Sequence, residues 1–400
     1  MLVAQLFPAA TGGAERQCWR QARALAKRGH EVAIATKWLD PRSARSEIVE
    51  GVRIWRRGCF FSVRRALSRR RNDARPEVRE PGAAAPAPTP RSAWLGKARN
   101  ALFIAELAWF AKSRRFQADV IHVHESHWIA GVAQWLGAKT GIPVWCKEAF
   151  QPVLLYGGAE EIPWAATWRQ RRLACNFLAI TEAIADDLAA AGIPRARIVP
   201  IPNGVEIPAE AAESGKHADA VYIGNFTQGA AHKGFDVLLE AWGLALRQEP
   251  GMRLRLYGRG DPAPWRRLAE QCGAGNSTTF AGEVADIAAV HRTAGFLVLP
   301  SRREGLSNAL LEALASGLPA VVSDIPGNVA AVRDGVEGLV VPAGDATALA
   351  EAMLRMYRQP EMRARMGAAA RARAGACFSM ESVAQRLETA YAEAVSAERG

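Results

Sequence analysis

The sequence predicts two α/β domains, each built on a largely parallel sheet, and three observations lead there. Short β-branched or aromatic runs alternate with segments of helical periodicity over most of the chain, the pattern of repeated βαβ units rather than of a bundle or a sandwich. The chain has 400 residues, too many for one ordinary core and suited to two domains of roughly 150–200 residues each. A hydrophobic content of 49% is enough to fill two interiors and excludes wholesale disorder.

Leu2–Phe7 reads as the first strand, Pro8–Gly13 as a loop, and Ala14–Arg28 as a helix with Cys18, Ala22 and Leu25 on one face, closed by Gly29. Glu31–Thr36 and Val52–Trp55 are the next strands. The pattern then breaks. Val63–Arg71 is strongly basic and Pro81–Pro90 is a Pro/Ala-rich, low-complexity run, so residues at about 56–99 read as an insertion. Asp119–His124, Pro143–Lys147, Asn176–Ile180 and Arg197–Pro200 follow as strands, with helices at Trp128–Lys139 and Thr181–Ala191. Asn203 and Gly204 are turn formers that close this domain, residues 1–207, and Ile207–His217 is the linker. In the second domain, 218–377, strands are expected at Ala220–Ile223, Leu254–Tyr257, Thr278–Phe280, Phe296–Leu299, Ala320–Ser323 and Gly335–Pro342. Helices are expected at Phe235–Leu246 and Leu306–Ala315, and residues 378–400 carry a long terminal helix, Phe378–Ala397.

Composition removes several function classes. No stretch reaches ~18 uncharged apolar residues, so no spanning helix is expected. Met1–Pro8 has neither the basic region nor the apolar run of a signal peptide. The six cysteines are scattered without a C-x-x-C pair, which suggests neither a disulfide framework nor a zinc site and suits a reducing cytoplasm. The net charge of +11 is concentrated: residues 51–120 hold 16 basic and 5 acidic side chains, and the rest of the chain is balanced. That segment, 53–75 above all, is either a solvated loop or a contact for an anionic membrane surface, at about 1 kcal/mol per basic residue near the surface. No nucleic-acid-binding module accompanies it, so nucleic acid is not an expected partner.

The stretch Leu299–Asn328 carries the chemistry. It runs strand, polar loop, helix, strand, with its loop at the carboxyl end of a strand, where open α/β sheets bind ligands. Free N–H groups from Gly305 through Leu306 and Ser307 to Asn308 would favour a phosphate. Glu304 and Glu312 lie eight residues apart, which on a helix at about 100° per residue brings them within ~80° of each other. One face would then hold two acceptors for sugar hydroxyls beside donors for a diphosphate. Two solvated glutamates on an ordinary surface helix are the simpler reading of that spacing alone.

The whole run is more specific. Pro300, Ser301, Glu304, Gly305, Asn308, Glu312, Ala313, Gly317, Pro319, Val321 and Ser323 match in register the donor-binding signature of the retaining family-4 glycosyltransferases, which the chain resembles. That family has the GT-B fold of two facing Rossmann-like domains, and its C-terminal helix returns to pack on the N-terminal domain. Gly12–Gly13–Ala14–Glu15 resembles its glycine loop, and Phe280–Val284 the loop facing the nucleotide base. His124, ending an H-x-H strand, corresponds to an active-site element near the transferred sugar. His232–Lys233–Gly234 corresponds to the segment that supplies a lysine to the diphosphate. Two positions depart from the pattern. Asn225 stands where the family has an arginine, and Cys146–Lys147–Glu148–Ala149 lacks a usual histidine. Arg302 or Arg303 is expected to supply the missing charge.

His122, His124 and His127 also form H-x-H-x-x-H, a superficial metallo-hydrolase pattern. It fails in detail, because Ser126 stands where that pattern has Asp. With no G-x-G-x-x-G and no D-x-D, neither a nicotinamide cofactor nor a required metal is expected.

The resemblance therefore implies a retaining transferase, moving a sugar from a nucleoside-diphosphate sugar (UDP favoured, GDP the alternative) to a glycan or lipid-linked hydroxyl. Polysaccharide, lipopolysaccharide or glycolipid synthesis in the cytoplasm, at the inner face of the membrane, is the implied setting. In this reading His124, Lys233 and Glu304 are catalytic. Gly13, Asn225, Lys233, Glu304, Gly305, Leu306, Ser307, Asn308 and Glu312 bind the donor. A GT-B sugar epimerase and a catalytically silent partner in a glycan assembly complex are the alternatives.

Overall fold

The computed structural model describes residues 2–3, 12–37, 43–57, 90–111, 118–124, 128–149, 165–226 and 231–399. Its contacts divide the chain into two compact α/β units, one of Met1–Ile201 with Ala384–Gly400, the other of Pro202–Val383. Of the expected irregular insertion, residues 58–89 lie outside the described residues, as do most of the Pro8–Gly13 loop and His127.

In the first unit, β1 (Leu2–Val3), β2 (Val32–Lys37), β3 (Ser46–Val49), β4 (Val52–Arg57), β5 (Ile121–Val123), β6 (Val144–Glu148), β7 (Asn176–Ala179) and β8 (Ile198–Pro200) form one sheet in the order β3-β4-β2-β1-β5-β6-β7-β8. Every described pairing is parallel except the β3–β4 hairpin. The β3 strand was not expected from the sequence. Its two-residue turn, Glu50–Gly51, has φ of 47° and 79°, the left-handed pair that matches the twist of a hairpin. Glutamate is a rare choice there, which hides the signal. Residues 90–99, expected to be irregular, are also ordered: they open the helix α2 (Pro90–Ala111) that follows α1 (Gly13–Lys27).

Alternation along β2 and β4 turns Val32, Ile34, Val52 and Ile54 to one face. They pack with Cys18, Ala22 and Leu25 of α1, and with Ala384. Each of the valine, isoleucine and leucine side chains contributes roughly 1.5–3 kcal/mol when fully buried. Ala384 belongs to the terminal helix Met380–Arg399. That helix is also held in the first unit by a fork from Arg28 to Glu388 at 2.7 Å and by a 2.6 Å hydrogen bond between Tyr391 and His122.

In the second unit β9 (Ala220–Ile223), β10 (Leu254–Tyr257), β11 (Thr278–Gly282), β12 (Phe296–Leu299), β13 (Ala320–Ser323) and β14 (Gly338–Val341) form an all-parallel sheet in the order β11-β10-β9-β12-β13-β14. Strand order runs outward in one direction from β9 and in the other from β12. Such a reversal leaves a crevice at the carboxyl ends of the two central strands. The first sheet reverses in the same way between β1 and β5.

Candidate functional site

Two loops meet at the second unit's reversal. After β9 the chain makes a short 3-10 turn, Ala231–Lys233, then Gly234 with φ of 70°. A Cβ on Gly234 would lie 2.1 Å from the Pro300 carbonyl oxygen, so only glycine lets this turn press against the end of β12. The Arg302 N–H donates to the His232 carbonyl at 2.7 Å and ties the loops together. This contact brings Lys233 to Glu304, whose side chain is 9% exposed, and the ammonium and carboxylate pair directly. The Ser301 hydroxyl donates to the same carboxylate oxygen at 3.4 Å.

The loop is held from behind. The Ser323 hydroxyl donates to the Ser301 carbonyl. Asn328 Nδ2 donates to the Ser323 carbonyl at 3.1 Å and to its hydroxyl oxygen at 3.0 Å. A Cβ on Gly327 would sit 1.7 Å from the Gly305 carbonyl oxygen, so a bare glycine backs the turn. Tyr222, on β9, is fully buried with its hydroxyl unpartnered. Burial first, and the charge of Glu304 second, push its phenol pKa well up.

The expected helix begins two residues late, at Asn308, and runs to Ala315. Ser307 is extended, with φ −68° and ψ 123°. Glu304 is therefore outside the helix and Glu312 is one turn inside it, so helical rotation does not set the angle between the two carboxylates as the spacing suggested. Asn203 Nδ2 reaches over to the Leu306 carbonyl at 3.1 Å and to Asn308 Oδ1 at 3.4 Å. Glu312 is half-buried.

Of the two arginines expected to supply the charge missing at Asn225, Arg302 forks onto Asp236 at 2.8 and 2.7 Å. A third arginine, Arg259, lies next to Asn225 in the fold: its backbone N–H donates to Asn225 Oδ1 at 3.4 Å, and its guanidinium is likewise paired, with Glu283.

Gly13 and His124 flank the reversal of the first sheet. Gly13 opens α1, and His124 follows β5, 2% exposed, with neither ring nitrogen partnered. The His122 ring stacks on it at 4.2 Å. Burial holds both imidazoles well below their ordinary pKa, reinforced for His122 by Lys147 and for His124 by His122 and then Lys147. Lys147 itself is 4% exposed with its ammonium unpartnered. Desolvation pulls its pKa from 10.5 to about 7 against a weak opposing pull from Cys18. Among the described residues no group of three or more His, Cys, Asp or Glu could hold a metal ion.

Residues 12–204 match the model described as glycosyl transferase 4-like domain, and residues 217–359 match that of glycosyl transferases group 1. The chain belongs to the family-4 glycosyltransferases. Among relatives of this family-4 chain, the D-inositol 3-phosphate glycosyltransferase of Streptomyces griseus is 29% identical over 337 residues, 73% of this chain and 70% of that protein. The enzyme of the same name from Saccharomonospora viridis is 34% identical over 201 residues, and there the chain spans 46% of the relative's length and the match 47% of this chain. The phosphatidyl-myo-inositol mannosyltransferase of Mycobacterium leprae is 33% identical over 43% of this chain and 47% of that one. Sucrose-phosphate synthase from Thermosynechococcus elongatus superposes with a TM-score of 0.72 at 21% identity, covering 99% of this chain and 98% of that chain. Anabaena Alr3699/HepE in complex with UDP and glucose superposes at 0.68 and 16% identity, covering 98% of each. These neighbours establish the GT-B fold of two Rossmann-like domains.

Several residues that pack around the candidate site are not signalled by the sequence. Tyr222 looks like an ordinary strand aromatic, and Asn203 like a turn former. Asp236 looks like a first-turn helix acid, and Arg259 follows a strand end with no motif around it. The double glycine of Gly258–Arg259–Gly260 was the available signal for a loop pressed close to a neighbour.

Proposed function

We propose that the chain transfers a sugar, with retention at the anomeric carbon, from a nucleoside-diphosphate sugar to a hydroxyl acceptor. The observation that carries this reading is the Lys233–Glu304 pair at the crevice of the second sheet, the sequence signature and the topological switch point meeting at one place. When the donor binds, Lys233 turns to the diphosphate and Glu304 is freed to hold hydroxyls of the sugar. As the bond from the anomeric carbon to the diphosphate breaks, charge grows on the leaving oxygens. Lys233 and the N–H groups of Gly305 to Asn308 stabilise that charge. Arg259 stands in for the arginine replaced by Asn225, and Glu312 takes the ribose. The acceptor oxygen attacks the same face, and its proton passes to the departing phosphate oxygen. His124 accepts a hydrogen bond from a sugar hydroxyl and orients it.

UDP is the proposed nucleotide, in keeping with the UDP and UDP-glucose complexes of Anabaena Alr3699/HepE. The names of the relatives favour a phosphorylated cyclitol or lipid-linked acceptor and a role in glycolipid synthesis. Contact with an anionic membrane is proposed through α2, which exposes Trp109 and Leu102, together with the basic segment, less Arg56. That arginine is 5% exposed and bound to Glu47 and the Ala44 carbonyl, so it serves the hairpin instead. Among the described residues no helix is long and apolar enough to cross a membrane.

The deciding experiment is a thermal-shift panel with UDP, GDP, ADP and NAD. A ligand at 100 times its Kd adds about 2.7 kcal/mol, several degrees for a domain of this size. A shift with one nucleoside diphosphate, lost in Glu312→Ala, is expected. A shift with NAD alone, or with none, overturns the reading.

A further inference from the structure

The register of the first sheet sets out its side chains in layers. Ile34, Leu2, His122 and Trp145 are neighbours across four strands, and Ala35, Val3, Val123 and Cys146 form the next layer. One step further, at the carboxyl edge, come Thr36, His124 and Lys147, on the same face as Ile34 because side chains alternate. Ile34 packs against Cys18, so this is the face that α1 covers. The α1 helix starts at Gly13 at that same edge.

All three side chains in this outer row are at least nine-tenths buried: Thr36 is 0%, His124 2% and Lys147 4% exposed. All three are also unsatisfied. Thr36 Oγ1, both ring nitrogens of His124 and Lys147 Nζ lack hydrogen-bond partners. Buried polar groups are ordinarily paired, and an unpaired buried amine is among the most expensive to maintain. A carboxylate from the protein would have been the ordinary solution. Glu148 alternates to the opposite face, and Glu15 lies against Gly12, where a Cβ would meet its carboxylate oxygen at 2.2 Å. The row sets three polar side chains along one edge of the sheet and, among the described residues, pairs none of them with an acid.

We propose that Thr36, His124 and Lys147 form an oxyanion subsite that takes the phosphate monoester of a phosphorylated acceptor. This rests on the proposed sugar transfer, with the donor held by the second unit and the acceptor therefore received by the first. A tetrahedral phosphate carries three terminal oxygens, one for each donor side chain, and its charge compensates the Lys147 ammonium that water no longer reaches. The His124 ring, held neutral, has one N–H and one free lone pair. The N–H serves the phosphate and the lone pair serves a hydroxyl of the transferred sugar, so one residue touches both the acceptor and the sugar it receives. Tyr391 holds His122, and His122 stacks on His124 and steadies its ring.

The test is isothermal titration of the full chain with inorganic phosphate, glucose 6-phosphate and glucose, each alongside a UDP titration. The wild type is expected to bind both phosphates and not glucose. Lys147→Met is expected to weaken phosphate binding at least tenfold, and Thr36→Val severalfold, with UDP binding unchanged in both and circular dichroism reporting intact folds. Failure of the wild type to bind either phosphate overturns the proposal, as does equal binding by wild type and Lys147→Met. Binding of inorganic phosphate with exclusion of glucose 6-phosphate overturns the acceptor assignment. Failure of the wild type to bind UDP while it binds both phosphates would instead overturn the choice of UDP as donor nucleotide and leave this proposal standing, so the two failures are distinct.

Discussion

Replacing Lys147 with methionine is expected to make the protein more stable near neutrality while depriving it of a ligand contact. The magnitude follows from the environment of the amine. Its pKa is pulled from 10.5 to about 7 by desolvation, and each pH unit of difference between folded and unfolded states corresponds to about 1.4 kcal/mol. The cost of folding around the charged amine is therefore roughly 5 kcal/mol at its greatest. Its pH dependence has a definite sign. Below about pH 7 both states carry the proton, and the whole penalty is present. Between about 7 and 10.5 the unfolded chain holds a proton that the folded chain has released, so wild-type stability rises with pH through that window. Methionine has nearly the same length and no charge, so its advantage should be largest at pH 6–7 and vanish by about pH 10.5. Urea unfolding of both proteins at pH 6.5, 8 and 9.5 measures it. A variant no more stable than wild type at pH 6.5, or an advantage independent of pH, would refute the claim that the ammonium is buried without a partner. Phosphate should raise wild-type stability at pH 6.5 and raise that of Lys147→Met far less.

Other substitutions probe the second unit. Glu304→Gln removes the charge that holds Lys233 and should cut sugar transfer from the nucleotide sugar by a factor on the order of 10²–10³ in kcat; activity within twofold of wild type would remove Glu304 from the reaction. Gly327→Ala forces a methyl group into the Gly305 carbonyl and should cost about 1–3 kcal/mol, with a weaker thermal shift by UDP as its second signature. Arg259→Ala should raise the Kd for UDP, whereas Arg302→Ala, which breaks an exposed fork to Asp236, should leave it unchanged; the opposite result would restore Arg302 as the diphosphate's partner. His291 is fully buried against Ser316 at 2.9 Å, and burial lowers its pKa from 6.5 to about 4. Because the folded state resists the proton, stability is complete above pH 6.5 and should fall by about 3 kcal/mol as pH drops to 4. His291→Gln should flatten that limb of an acid-unfolding curve.

The parts of the molecule that were readable in the sequence are those whose cause is local. The strands Ala220–Ile223, Phe296–Leu299 and Ala320–Ser323 stand where the apolar runs put them. Gly317, with φ of 77°, terminates its helix as its position before Pro319 required. What escaped depends on partners distant in the chain. Asn203 acts on residues more than a hundred positions away. The fork of Arg302, in a loop, to Asp236, in the helix Phe235–Leu246, joins positions 66 residues apart, which no local pattern announces. The start of the helix at Asn308 is displaced because Leu306 is committed to packing, 5% exposed, in an extended loop; periodicity counted it as a helical apolar position. Lys147 sits in a strand whose neighbours are all buried, where its type alone predicts exposure. Only the layer formed with β2 and β5 makes its position meaningful.

The terminal helix carries a consequence for how the chain is made. The apolar face built by Val32, Ile34, Val52 and Ile54 is completed by Ala384, and His122 is held by Tyr391. A ribosome adding about 5–20 residues per second must synthesise roughly 180 more residues after Ile201 before that covering segment exists. For tens of seconds the first unit is thus a nearly finished sheet with an open seam, while the second unit has all its own residues before the seam is closed. Folding order is therefore inverted relative to chain order: the later-made unit reaches its full complement first, and the earlier-made one waits for the segment from Ala384 onward. A stop codon placed just before Ala384 should yield a folded second unit joined to a first unit that aggregates or recruits chaperones.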